Sequence, residues 1–168
     1  MELAHAQTSL SDLGVERLEH ANINGQTGLA TDYLNHFNEV VMLLEMLPDM
    51  PECAEDVLDW RPCSYEEHFR NSCFSEKDLA IVAFYAAPAN VRLAFERAVQ
   101  AVDAQVLEIQ EELRQRCEDP EYLLVVRDLV TTQIQGLLSR CNGIIHGRVD
   151  ARAEGQENTQ ADVDALFD

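Results

Sequence analysis

Two apolar stripes of almost equal length set the terms for this chain. Val91, Phe95, Val99, Val102, Val106, Ile109 and Leu113 recur every third or fourth residue, and so do Leu123, Val126, Val130, Ile134, Leu137, Cys141 and Ile144. That spacing returns each stripe to one face of an α-helix, and Asp119 with Pro120 interrupts the pattern between them. Pro88 suits the first turn of the first helix and Pro120 that of the second, which closes near Gly143 or Gly147. Two long amphipathic helices joined by a tight connection form an antiparallel hairpin. Its stripes must be covered either by the amino-terminal helices or by a second copy of the chain. The expected fold class is therefore all-α, a helical bundle built on that hairpin, with a homodimer as one way to complete it.

Upstream the signals are shorter. A weakly periodic segment over residues 10–21 gives way to Gly25 and Gly28. Thr31 then reads as the N-cap of a helix over residues 32–47, where Leu34, Phe37, Val41 and Leu44 share a face until Pro48 stops the run. Pro48, Pro51 and Pro62 bracket an acidic segment, residues 52–60, expected to hold one or two helical turns with Trp60 as a packing anchor. Ser64 with Glu67 reads as a capping box for a helix to Arg70, and Ser75 with Asp78 as the start of another to Tyr85.

Charge narrows the function. Lys and Arg number 12 against 31 Asp and Glu, for a net charge of -19, so phosphate backbones and anionic lipid surfaces are repelled. Neither nucleic acid nor membrane is an expected partner. The longest uncharged run, residues 79–91, is too short to span a bilayer and contains Pro88. The first residues lack the basic start and apolar run of a secretory signal, so the expected location is cytoplasmic. Five scattered cysteines suit reduced thiols better than a disulfide framework. Cys53, Cys63, His68 and Cys73 lack the paired short spacing of a zinc site, and no metal is expected.

Residues 150–159 are small, polar and largely acidic, with nothing to bury. The chain thus divides into a bundle domain over residues 1–149, a flexible acidic linker over 150–159 and an amphipathic peptide over 160–168. In helical form that peptide places Val163, Leu166 and Phe167 on one side. A single turn does not persist alone, because nucleation costs more than so few hydrogen bonds return. Capture in a partner's groove answers that, with Asp162 and Asp164 steering towards basic surroundings; folding back onto the bundle is the alternative.

The segment TQADVDALFD resembles the peptide with which flagellar motor switch proteins catch the phosphorylated chemotaxis response regulator, of the form S-Q-(A/D)-(D/E)-(I/V)-D-A-L-L. Gln160, Ala161, Asp162, Val163, Asp164, Ala165 and Leu166 match as they stand, with Thr159 for Ser and Phe167 for Leu. It is also similar to the hook of the CheZ family, which dephosphorylates the same regulator, and hairpin, acidic linker and hook is the CheZ order of parts. The resemblance implies a protein that binds a receiver-domain response regulator and carries no cofactor of its own, since the Mg2+ belongs to the regulator. It further implies an aspartyl-phosphate phosphatase where one helix face carries Asp and Gln four residues apart.

That Asp-x-x-x-Gln spacing is absent. The nearest candidates are Asp128 with Gln133, five apart, and the pairs Glu96 with Gln100 and Glu111 with Gln115. Five residues of regular α-helix turn through about 500°, leaving Asp128 and Gln133 about 140° apart. The Glu/Gln pairs have the right face relation, but the same residues are the ordinary filler of solvated helix surfaces. Three readings stay open: a regulator-binding protein that also speeds dephosphorylation, a non-catalytic helical adaptor or dimeric scaffold, and a small-molecule or metal enzyme built around Asp32, Asn35, His36 and Glu39.

One more cluster stands out. TDYLNHFNE places Asp32, Asn35, His36 and Glu39 on a continuous polar stripe opposite Leu34, Phe37 and Val41. Asparagine is a poor helix former, so its presence asks for a reason. The stripe can position water, hold a metal through His36 and Glu39, or hydrogen-bond to neighbouring helices; the last is expected, because buried polar groups usually satisfy one another. Serine and cysteine nucleophile signatures, the P-loop and the glycine-rich dinucleotide turn are absent.

Overall fold

The computed structural model describes residues 8–148. Among these the regular structure is helical, with one isolated bridge between Ile23 and Ala30 and no strand, so the chain is all-α. The periodic segment near the start is two helices, α1 (Leu10–Leu13) and α2 (Val15–His20), divided at Gly14. The loop that follows is fastened at both sides. Thr27 is buried and its hydroxyl donates to the Ile145 carbonyl at 2.7 Å. Gly28 has φ +73°, and a Cβ there would lie 2.5 Å from the Ala83 carbonyl oxygen, so only glycine permits this approach.

Thr31 does not cap an α-helix. It opens a turn of 3₁₀ helix, Thr31–Leu34, and α3 (Asn35–Met46) follows with no side-chain cap. The turn delivers Tyr33 into the core beside Phe37, with ring centroids 5.7 Å apart. The segment expected to hold a turn or two contains a 3₁₀ turn, Pro51–Cys53, and α4 (Ala54–Asp59). At α5 (Tyr65–Asn71) the Ser64/Glu67 box forms, both of its bonds at 3.1 Å. The box expected of Ser75 and Asp78 does not: α6 (Lys77–Ala86) starts later, with Glu76 at its N-cap and no side-chain cap.

The two long stripes fold as helices. α7 (Ala89–Arg116) is unbroken for 28 residues, with Pro88 just outside it at the N-cap. Asp119 caps α8 (Pro120–Leu129) by accepting from the Glu121 and Tyr122 amides, with Pro120 in the first turn. A π-helical segment, Val130–Ile134, leads into α9 (Gln135–Ile145), and Gly147, at φ +89°, ends the run. α7 lies chiefly against α9, α3 against α8 and α4 against α7, so helices of the same chain cover both stripes. Val91, Phe95, Val102, Val106, Ile109 and Leu113 are buried, as are Leu123, Val126, Val130, Ile134, Cys141 and Ile144. One polar side chain joins them: Gln110 is buried and its amide donates to the carbonyls of Val57 and Trp60, each at 2.8 Å, tying α7 to the end of α4. All five cysteines are free thiols. Among the described residues no single helix is long and apolar enough to cross a membrane.

Candidate functional site

The polar stripe divides when placed on the fold. Asp32 sits in the 3₁₀ turn, where its Oδ1 accepts from Asn35 Nδ2 at 3.2 Å and Asn35 Oδ1 accepts from Asn38 Nδ2 at 3.4 Å. Its other oxygen lies 3.0 Å from Nε2 of His68 on α5. His36 turns away from this chain of bonds. Its ring stacks on Trp60, centroids 4.8 Å apart, and the Trp60 indole donates to the His36 carbonyl at 3.1 Å. Burial, with a smaller contribution from nearby His68, lowers the His36 pKa to about 4, and its Nε2 is buried with no hydrogen-bond partner. The ring is therefore neutral at physiological pH, held by stacking and not by charge. Glu39 is exposed and makes no ion pair with His36. The His36/Glu39 metal pair does not form, and among the described residues no group of three or more His, Cys, Asp or Glu is placed to hold a metal.

Glu96 and Gln100 fall, unlike Glu111 and Gln115, at the edge of a cleft. Glu111 is answered by Arg114 at 2.8 Å on a solvated face, and Gln115 is exposed beside it. Glu96 and Gln100 line a cavity of about 400 Å³ between α5, α6 and α7, together with Tyr65, Phe84, Phe95 and Asp103. Asp103 belongs to no recognised motif, yet it lines the same cleft. It is half-buried, its Oδ1 has no hydrogen-bond partner, and burial raises its pKa to about 6. The signal was present: Asp103 and Gln110 stand at three-or-four spacing beside Val99, Val102, Val106 and Ile109, where the stripe calls for apolar residues.

Asp128 lies just before, and Gln133 inside, a distortion that the regular helix period does not include. The amide of Gln135 bonds to the carbonyl of Val130, five residues back, as a π turn requires. Such a turn winds less per residue than an α-helix, so Gln133, inside it, stands closer in angle to Asp128 than the roughly 140° of a regular helix. Both side chains are exposed. Two consecutive threonines lie within the π turn. Thr132 donates its hydroxyl to the Asp128 carbonyl at 2.8 Å and Thr131 to that of Arg127 at 3.4 Å, competing for acceptors the backbone amides use in an α-helix. Leu124 and Val125, each 51% exposed, lie one turn before Asp128 and leave apolar surface beside it.

The linker at 150–159 and the peptide residues Gln160, Asp162, Val163, Asp164, Ala165, Leu166 and Phe167 lie outside the described residues. No family model, no curated protein and no solved structure matches the chain.

Proposed function

We propose that this protein binds a phosphorylated receiver-domain response regulator of the chemotaxis type in the cytoplasm, capturing it with residues 160–168, and that it speeds hydrolysis of the regulator's aspartyl phosphate. The observation that carries the reading is the peptide itself, in which Gln160, Asp162, Val163, Asp164, Ala165 and Leu166 keep the pattern of the switch-protein hook. Electrostatics favour an external groove. The 400 Å³ cleft has only acidic charged residues in its lining, Glu66, Glu96 and Asp103, and these oppose the three aspartates of the peptide.

For the catalytic half, the π turn supports Asp128 and Gln133 over Glu96 and Gln100. Hydrolysis of an acyl phosphate asks the helper to position a water in line and to hold the regulator's own groups, so the pair must project from a convex surface. Asp128 and Gln133 are exposed on a helix exterior, whereas Glu96 and Gln100 border a concavity. In this reading α7 and the α8–α9 run form the antiparallel hairpin of a CheZ-like body, Gln133 orients the water, and Asp128 holds the cationic side of the regulator's site. The Mg2+ of the reaction is the regulator's.

Exposed Leu93, Leu107, Leu124 and Val125 favour a second reading, a helical adaptor or homodimeric scaffold without catalysis. Binding separates both from a wrong assignment. A receiver domain activated with beryllofluoride should bind the full chain, and removal of residues 160–168 should weaken binding by more than about tenfold, equivalent to about 1.4 kcal/mol, with the helical circular dichroism unchanged. Equal affinity with and without those residues overturns the proposal.

A further inference from the structure

The cleft between α5, α6 and α7 has no part in the receiver reading and stands independently of it. Five aromatic residues border it: Tyr85, which is exposed, and Tyr33, Tyr65, Phe84 and Phe95, which are buried behind it. The rings brace one another, Tyr65 stacked on Phe84 at 4.5 Å and edge-on to Phe95 at 6.0 Å, with Tyr33 5.2 Å from Tyr65. Their hydroxyls help to fix them. Tyr33 donates to the Cys63 carbonyl at 2.6 Å, the Tyr65 oxygen accepts the Ala30 amide at 2.9 Å, and Tyr85 donates to Glu66.

Every charged side chain in the lining is an acid, and they are not equally satisfied. Glu66 pairs with Arg70, whereas no ion pair reaches Glu96 or Asp103 among the described residues. Oδ1 of Asp103 is buried without any donor. That oxygen is sealed from solvent, so a ligand in the cleft meets Asp103 as a nearby negative charge and not through a hydrogen bond to Oδ1. An anion is repelled here, and a neutral apolar molecule leaves the acidic charge of the lining unanswered. A cation with an apolar body suits both halves, since its charge is attracted to a ring face within about 6 Å and to the acidic lining, where the exposed Glu96 carboxylate can accept its N–H groups. A volume of about 400 Å³ is that of a small-molecule site, whose usual range is roughly 300–1,000 Å³. We infer that this cleft binds a small organic cation, an ammonium or guanidinium on an apolar body, with Asp103 and Glu96 as its charge partners and the exposed Tyr85 ring as its principal wall.

Titration of the full chain with benzylammonium, benzoate and benzyl alcohol, followed by amide chemical shifts, tests this. Benzylammonium should saturate with a Kd of about 1 mM or below and shift resonances around Tyr85 and Glu96, while benzoate should not bind. Asp103→Asn should weaken benzylammonium by about tenfold, and Tyr85→Ala, whose side chain is 56% exposed, by several-fold with the fold intact. Should Asp103→Asn fail to fold, Glu96→Gln supplies the same comparison from an exposed position. Benzyl alcohol binding as tightly as benzylammonium, no binding of benzylammonium below about 10 mM, or unchanged affinity in Glu96→Gln and Tyr85→Ala together overturns the inference.

Discussion

α7 and the run from α8 to α9 begin from the same kind of apolar stripe and reach different backbones. α7 holds 28 residues in regular α-helix, whereas its neighbour takes up an extra residue in the π turn Val130–Ile134. In α7 the residues between stripe positions are mainly Ala, Glu, Gln and Arg, which leave the hydrogen-bond ladder alone. In the other helix Thr131 and Thr132 bond back to carbonyls of the preceding turn. Gly136, where a side-chain carbon would meet nothing within 4 Å, adds backbone freedom just beyond. A stripe therefore fixes which face is buried but not the backbone period between its members. The surface residues between them are the ones that move.

Shortening each helix by one residue should separate the two most sharply. Removing Ala101 from α7 rotates Val102, Val106, Ile109 and Leu113 by about 100° away from the core, at a cost above about 5 kcal/mol, and no cooperative unfolding transition should remain. Removing Thr131 should instead close the wide turn to a regular one, keeping Ile134, Cys141 and Ile144 buried. Between these in size lies Gln110→Ala, which leaves the Val57 and Trp60 carbonyls without their shared donor and should lower stability by about 3 kcal/mol in chemical denaturation. The Thr131 deletion should lower it by less than about 2 kcal/mol. A deletion of Thr131 as damaging as that of Ala101 would show that the wide turn is not an inserted residue.

The smallest effects are expected from pH, and they carry opposite signs on α7 and α3. Asp103 has its pKa raised by burial to about 6, so between about 4 and 6 the folded chain keeps a proton that the unfolded chain has lost, and stability falls as pH rises. His36 has its pKa lowered to about 4, first by burial and then by His68, so between about 4 and 6.5 the unfolded chain holds the extra proton and stability falls as pH drops. Asp103→Asn should remove the first slope and His36→Phe the second, as read from denaturation midpoints at about pH 4.5 and about pH 6.5. The two slopes cancel in part in the parent chain, so each variant should show a steeper dependence of the other sign.

The elements most legible in the sequence were those specified locally. Ser64 and Glu67 cap α5 because a capping box needs only its own four residues, and Asp119 with Pro120 starts α8 for the same reason. Ser75 failed as a cap although its pattern resembles that of Ser64, since α6 begins with Lys77 under Glu76. His36 illustrates a different limit. Helical spacing correctly placed it on α3, but Trp60, which claims its ring, arrives from another segment, and no periodicity announces that contact. Asp103 was readable as an acid in an apolar stripe. The cleft around it was not, because its aromatic walls come from the 3₁₀ turn, α5, α6 and α7 together.

The proposed catalysis comes down to Gln133, brought round by the wide turn towards Asp128, positioning water on the regulator's phosphorylated aspartate. The direct measurement is the decay of phosphate on a receiver domain incubated with the full chain, with Gln133→Ala and with Gln100→Ala, under conditions where each binds the regulator. The full chain should accelerate decay, and Gln133→Ala should lose that acceleration by roughly 100-fold without loss of binding. No acceleration by the full chain, or acceleration that survives Gln133→Ala and disappears in Gln100→Ala, contradicts this role for the wide turn.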